Sequence, residues 1–257
     1  MFSILTYNIH KGFSHFFPHF RLHKMRQALL TQNPEIILLQ EVCGKHTYYE
    51  QLIKKWPEKS QVEYLGDNVH WPQRIYTENA VYKHGHHGNG LMTRFKILEW
   101  ENINVALNKF SSRSLLHAKL QVEEKHILHV ICVHLGLFES ERKKQLQTLS
   151  DRIKSHVPAA EALIIGGDFN DWRQQATQHL GESLGLQDAF LQTAQKQPKT
   201  FPAFYPMLSV DRIYYRGLKL LECQCLSGKP WRNLSDHLPL QASFTFVDET
   251  KFTPSSL

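Results

Sequence analysis

Ala162-Leu163-Ile164-Ile165-Gly166-Gly167-Asp168-Phe169-Asn170 runs from apolar residues through two glycines to a carboxylate and an amide two positions apart. The apolar part is too short for an ordinary helix and is bounded by glycine, so it reads as a buried strand. Polar groups just past such a strand stand on a rigid platform, a common place for chemistry. In extended chain Asp168 and Asn170 would point to one side. Taken alone, the stretch is equally a glycine turn with Asp168 as its cap.

The same arrangement recurs outward from this point. Phe2-Ser3-Ile4-Leu5-Thr6-Tyr7 reads as a first strand and is followed by Asn8. Leu22, Met25 and Leu29 recur at helical spacing, and Asn33-Pro34 ends that helix. Glu35-Ile36-Ile37-Leu38-Leu39-Gln40 is a run suited to a strand covered on both faces, closed by Glu41. Leu116, Ala118, Leu120 and Val122 alternate with polar residues, and His126 to His134 forms a further strand in which His134 shares the parity of Leu128, Val130 and Cys132. A helix with Leu146, Leu149 and Ile153 on one side comes next. Asp211 lies within Ser209-Val210-Asp211-Arg212-Ile213, sharing parity with Ile213 and Tyr215, where a lone carboxylate is costly without a partner. Asp236 and His237 precede a strand in which Leu238, Leu240, Ala242, Phe244 and Phe246 face one way; the polar alternates suggest a half-exposed strand in antiparallel pairing. A mixed-sheet α/β architecture follows, and a purely alternating doubly wound one does not. With no internal repeat and no linker-like tract, a single domain over residues 1–248 is expected, with a loose tail at 249–257.

The 257 residues carry a net charge of +6, which favours anionic partners without reaching the density of a DNA-coating protein. Sixteen histidines are unusual, because imidazole serves as base, metal ligand and phosphate donor near neutral pH. Four cysteines without Cys-x-x-Cys spacing suggest reduced thiols. The first residues lack the basic and apolar regions of a secretion signal, and no run suits an integral membrane segment. A cytoplasmic location is expected.

Each polar residue at a strand end is weak evidence, since a lone Glu there is more often a loop start or a cap. Their ordered co-occurrence is specific. Thr6-Tyr7-Asn8-Ile9-His10, Leu39-Gln40-Glu41, Gly88-Asn89-Gly90, Val133-His134-Leu135, Gly167-Asp168-Phe169-Asn170, Ser209-Val210-Asp211-Arg212-Ile213 and Ser235-Asp236-His237 together resemble the motif series of the endonuclease/exonuclease/phosphatase superfamily. The resemblance spans essentially the whole chain. It implies a four-layer α/β sandwich, two mixed β-sheets face to face with helices outside, and a metal-dependent phosphoric ester hydrolase. Carried over, Glu41 would be the principal Mg²⁺ ligand, with Asn8 and Asp236 close by; Mn²⁺ is a possible substitute. Asp168 would orient or deprotonate the attacking water, Asn170 would donate to the transition state, and His134 would bind a phosphate oxygen. His237, paired with Asp211, would be the second acid/base or charge-stabilising group. Whether Asp168 or His237 takes the water's proton stays open.

The motif series leaves substrate choice open, because related families cleave DNA, RNA, abasic sites, sphingomyelin and inositol phosphates. His10 stands where abasic-site endonucleases tend to carry an acidic or amide residue. The phosphate-ester substrate is therefore nucleic acid, or a phospholipid-type or small phosphodiester. Asn89 sits in a motif near the catalytic floor, and Arg113 could clamp phosphate. Trp172 and Arg173, like Trp71, Arg74, Trp231 and Arg232, join an aromatic to a basic group, as a substrate rim would; Trp is also a common core residue. His84-Gly85-His86-His87 invites a zinc reading, yet lacks Cys or carboxylates at ligand spacing. The rival function is a binding protein that keeps the fold without catalysis, and the intact motif set argues against it.

Overall fold

Two strand–helix–strand units organise the chain, each closing a parallel strand pair. The first comprises β1 (Phe2–Asn8), α1 (Leu22–Gln32) and β2 (Ile36–His46); the second, β7 (His126–His134), α4 (Glu139–His156) and β8 (Ala162–Asp168). The computed structural model describes residues 1–15, 19–67, 69–107 and 113–247; the tail expected at 249–257 lies outside them. α1 stops where the sequence suggests: Asn33 adopts φ 53° and its N–H returns to the Leu29 carbonyl at 2.7 Å, with Pro34 barring continuation.

Around each pair, antiparallel strands complete a six-stranded sheet. The first has the order β11 (Leu218–Cys225), β12 (Leu240–Phe246), β1, β2, β4 (Gly85–Thr93), β3 (Gln73–Tyr82). The second runs β5 (Lys96–Asn104), β6 (Ser114–Val122), β7, β8, β10 (Asp211–Arg216), β9 (Gln187–Asp188). Short helices α2 (Thr47–Leu52), α3 (Gln61–Leu65), α5 (Gln175–Leu184) and α6 (Ala189–Thr193) fill the connections.

Strand alternation divides the apolar residues among layers. Ile4, Ile36, Leu38, Ala242 and Phe244 of the first sheet meet Ala118, Leu128, Val130, Ile164 and Ile213 of the second in the central core. The opposite faces lie under helices. Leu5, Ile37 and Leu39 pack with Leu22, Met25 and Leu29 of α1, while Ile131, Val133, Leu163 and Ile165 pack with Leu146, Leu149 and Ile153 of α4. This is the expected four-layer sandwich. Truncating a central residue such as Ile164 to Ala would cost about 2–5 kcal/mol.

Three local expectations change. β12 is antiparallel on both sides, but it is not half-exposed: Gln241 and Ser243 are buried, covered by Gln32 of α1 and Glu222 of β11. Asp211 opens β10 instead of lying inside it. Asn170 does not continue an extended chain from Asp168, because it turns into the left-handed region at φ 50°.

Candidate active site

At one end of the sandwich the inward-facing series of both sheets switch from apolar to polar. β1 passes from Ile4 through Thr6 to Asn8, β7 from Val130 through Cys132 to His134, and β8 from Ile164 through Gly166 to Asp168. β10 enters from the same end, so Asp211 pairs in register with Asp168. His237 arrives just ahead of β12. Gly167 permits the close approach of β7 and β8 here: its φ is 151°, and a Cβ would lie 2.0 Å from the Val133 carbonyl oxygen.

Asp168 is the hub. Its Oδ2 accepts the Asn8 amide at 3.1 Å and lies 3.5 Å from His134 Nε2 and 3.7 Å from His237 Nε2. Its Oδ1 accepts the Asn170 backbone N–H at 3.0 Å. Behind His237, Nδ1 donates to Asp211 Oδ2 at 2.9 Å, and Phe201 lies against the imidazole. The Asn170 side-chain amide donates to the Leu135 carbonyl at 2.9 Å.

Burial opposes charge on His237, but Asp211 and then Asp168 outweigh it and push its pKa up to about 10. His134 goes the other way: burial, then the Arg113 guanidinium, holds it well below the usual imidazole range. Asp168 is raised, first by burial and further by Asp211, against the pull of His237. One carboxylate thus has a charged imidazole on one side and a neutral imidazole on the other.

Glu41 reaches this end by a different device. Between Leu39 and Val42 the pairing of β2 with β4 shifts by one residue, a β-bulge, and Glu41 takes φ 55°. Burial raises its carboxyl, but Lys11, whose Nζ stands 2.7 Å from Oε2, together with His134 overrides that and holds it well below the usual carboxylate range. Asp236 is faced by His10 and His15 Nδ1 at 3.9 Å each, and Ser235 Oγ anchors this loop to the Asn8 carbonyl at 2.7 Å. Hard oxygens of Asn8, Glu41 and Asp236 therefore sit on adjoining segments, with the Lys11 ammonium against Glu41 and two imidazoles beside Asp236.

The remaining candidates separate. Asn89 is buried and its amide donates across the sandwich to the Ser114 carbonyl at 3.0 Å. Arg113 donates to the Leu135 carbonyl at 3.1 Å, directly past His134. Trp172 and Arg173 turn to the start of α4, Trp172 against Arg142 and Arg173 onto Glu139 at 2.8 Å. Trp71 and Trp231 are core, not rim; Trp71 donates to the Pro34 carbonyl and Trp231 meets Tyr7. The histidines at 84–87 disperse along β4 and its turn: His86 bonds Tyr76, whereas burial and Lys11 depress His87 to about 4. Among the described residues, the three-member group of His, Cys, Asp or Glu with donor atoms within 4.8 Å of one another is Asp168, Asp211 and His237.

Lys11, Gln40 and a second imidazole pair carry roles the sequence reading did not give them. Gln40 joins the sheets through Thr6 Oγ1 at 3.1 Å and Cys132 Sγ at 3.2 Å. On the outer face of the second sheet, Arg152 Nε donates to His117 Nδ1 at 3.1 Å. His117 Nε2 then donates to His129 Nδ1 at 2.8 Å, and His129 Nε2 to Glu161 at 2.5 Å. Because Arg152 Nε can only donate, the direction of the whole chain is fixed and both imidazoles are neutral. Its sequence signal was the placement of His117 and His129 at outward positions of neighbouring strands; only the pairing register shows that they meet.

A sandwich of two mixed sheets that ends in a carboxylate–imidazole cluster is the build of a family of generally hydrolytic phosphoesterases. The chain belongs to it: the model of the endonuclease/exonuclease/phosphatase family matches residues 5–237. It is 38% identical over 242 residues to the uncharacterized protein YbhP of Escherichia coli (strain K12), covering 94% of this chain and 95% of that one. Among solved structures it is similar to an endonuclease/exonuclease/phosphatase from Beutenbergia cavernae, with TM-score 0.77 and 18% identity over 95% of this chain and 71% of that chain. It is also similar to D. rerio TDP2 complexed with single-strand DNA product, with TM-score 0.69 and 20% identity over 95% and 98% of the two chains. The structural likenesses establish the fold. No helix among the described residues is long and apolar enough to cross a membrane.

Proposed function

We propose that the protein is a Mg²⁺-dependent phosphoesterase that cleaves a P–O bond of a phosphodiester by in-line attack of water. The observation that carries this reading is the setting of Asp168, a buried carboxylate approached by Asn8, His134 and His237 from both sheets, with Asp211 behind His237.

Asn8, Glu41 and Asp236 would hold the metal. They fit it, offering hard oxygens where Lys11, His10 and His15 already crowd the carboxylates. In the Asp168, Asp211 and His237 group, His237 Nδ1 and Asp211 Oδ2 are already spent on each other at 2.9 Å. When bound, Mg²⁺, or Mn²⁺ in its place, neutralises negative charge on the phosphate and the leaving oxygen.

The chain's own residues divide the proton work. His237, charged and held by Asp211, is a donor at Nε2 and not a base. Asp168 therefore takes the water's proton at Oδ2, and its raised pKa makes it a better base than an ordinary carboxylate. Asn8 and the Asn170 N–H fix its orientation. His134 Nε2 and the second amide hydrogen of Asn170 are preorganised donors for phosphate oxygens. Arg113 and Asn89 brace this end, and Trp172 and Arg173 stand at its margin.

The substrate class is nucleic acid or a phospholipid-type or small phosphodiester; a single-strand DNA product on the similar D. rerio TDP2 supports the first. Four free cysteines support a reducing, cytoplasmic setting. The test is hydrolysis of bis-p-nitrophenyl phosphate, plasmid DNA, RNA and phosphatidyl diesters with and without chelator. Metal-dependent turnover is expected, with Glu41→Ala impaired and partly rescued by high metal. No turnover on any of these substrates would favour the rival reading, a binding protein on the same fold.

A further inference from the structure

A cleft of about 520 Å³ opens beside the cluster. Arg21, Lys24, Lys229 and Arg232 line it together with His15 and Phe204, and its described lining contains no carboxylate. It is continuous with the site: His15 faces Asp236, Phe204 stacks on His15 with ring centroids 5.5 Å apart, and the Ala203 N–H donates to the Asp236 carbonyl at 2.7 Å. Arg21 Nε is buried there and finds no acceptor among the described residues.

The loops leaving the same end carry large apolar side chains into solvent. Tyr205 and Met207, just past Phe204, are 67% and 58% exposed. Past the end of β7, Leu137 and Phe138 follow His134-Leu135-Gly136 and are 57% and 71% exposed. Apolar groups gathered in water around one end of a molecule mark an interaction surface.

We propose that this end of the sandwich docks on an anionic phospholipid surface, with Tyr205, Met207, Leu137 and Phe138 entering the headgroup boundary and the cleft cations meeting lipid phosphates. The docking itself needs no turnover; that a headgroup phosphodiester then reaches Asp168 rests on the phosphoesterase reading above. Two features favour a lipid surface over a nucleic-acid strand. Leu137 and Met207 have no π-face on which a base could stack, whereas flexible aliphatic side chains gain from burial among acyl chains. The cleft cations share their lining with Phe204, which leads into Tyr205 and Met207, the combination that gives an interfacial anchor its two contributions.

The test is co-sedimentation of the full-length protein with sucrose-loaded vesicles, without added metal, using phosphatidylcholine alone or with 30% phosphatidylglycerol. Binding is expected to the anionic vesicles only, and to weaken with salt. Lys24→Ala with Lys229→Ala should reduce it about fivefold per charge removed. Tyr205→Ser with Met207→Ser should reduce it at least tenfold, while thermal unfolding and hydrolysis of soluble bis-p-nitrophenyl phosphate stay as in the wild type. Asp168→Asn should bind vesicles like the wild type, which separates loss of docking from failure of the phosphoesterase reading. The proposal is overturned if the wild type ignores anionic vesicles at low salt, or if only the lysine variant loses binding. It is equally overturned if the same substitutions weaken binding to a single-stranded oligonucleotide while vesicles go unbound.

Discussion

Two imidazole clusters occupy opposite faces of one sheet and are tuned in opposite directions. On the inner face, His237 is held by Asp211 and lies beside Asp168, and it is pushed up to about 10. On the outer face, His117 is depressed to about 3 by burial, then by His129 and Arg152. Both imidazoles are buried, so burial alone does not decide their charge. The partner on Nδ1 does: a carboxylate on His237 and an arginine N–H on His117. One cluster holds a charged imidazole between two carboxylates. The other is a chain of neutral hydrogen bonds pinning α4 to the sheet.

The largest expected effect tests the inner cluster as a unit. Asp211→Asn should lower kcat on a diester by about 10²–10⁴, and His237→Ala by a similar factor. Combining them should add almost nothing, because groups acting as one unit are not additive. Independent, multiplying losses would dissolve the contrast, leaving Asp211 as a structural carboxylate.

A smaller effect belongs to the outer cluster. His117→Leu strands the Arg152 N–H and His129 Nδ1, and should cost about 1–3 kcal/mol in urea unfolding with little change in kcat.

The pH dependence of stability gives the sharper form of the same contrast. His117 is depressed in the folded state, so between about 6.5 and its value near 3 the unfolded chain binds the extra proton. Stability should therefore fall with acidification, by at most about 1.4 kcal/mol per pH unit for this one group, and His117→Leu should flatten that limb. His237 is raised, so its contribution is present below about 6.5 and is lost as pH climbs towards 10. Urea midpoints from pH 4 to 10 in wild type, His117→Leu and His237→Ala would show the two limbs move separately.

The smallest effect should come from the margin. Arg173 is tied to Glu139 at the surface, and Arg173→Ala should raise KM slightly while leaving kcat and the melting temperature unchanged.

Much of this plan could be read from the chain because strand parity is a local property. Ile4 and Asn8, Val130 and His134, or Ile213 and Asp211 share a face whatever surrounds them. The ordered motifs supplied the rest of the candidate cluster. What escaped was the information that lies between elements. Lys11 pins Glu41 only because a bulge and a positive φ re-aim β2, and neither leaves a periodic trace. Gln241 and Ser243 look exposed until α1 and β11 are set against β12. The histidines at 84–87 look like a cluster in sequence and are not one, since adjacent strand residues face opposite sides.

Gly166, Gly167 and Asp168 close a strand whose every second residue faces the other sheet, and that spacing has a consequence for how the gene can change. The deletion of a single codon inside β8, β7 or β1 would rotate Asp168, His134 or Asn8 to the helix-covered side and bring a core residue to the candidate site. Such a chain could still collapse around most of its apolar layers and would be inert. If the proposed phosphoesterase activity is present, turnover is a readout of strand frame, and a library of one-codon deletions scored for that activity would trace the strands.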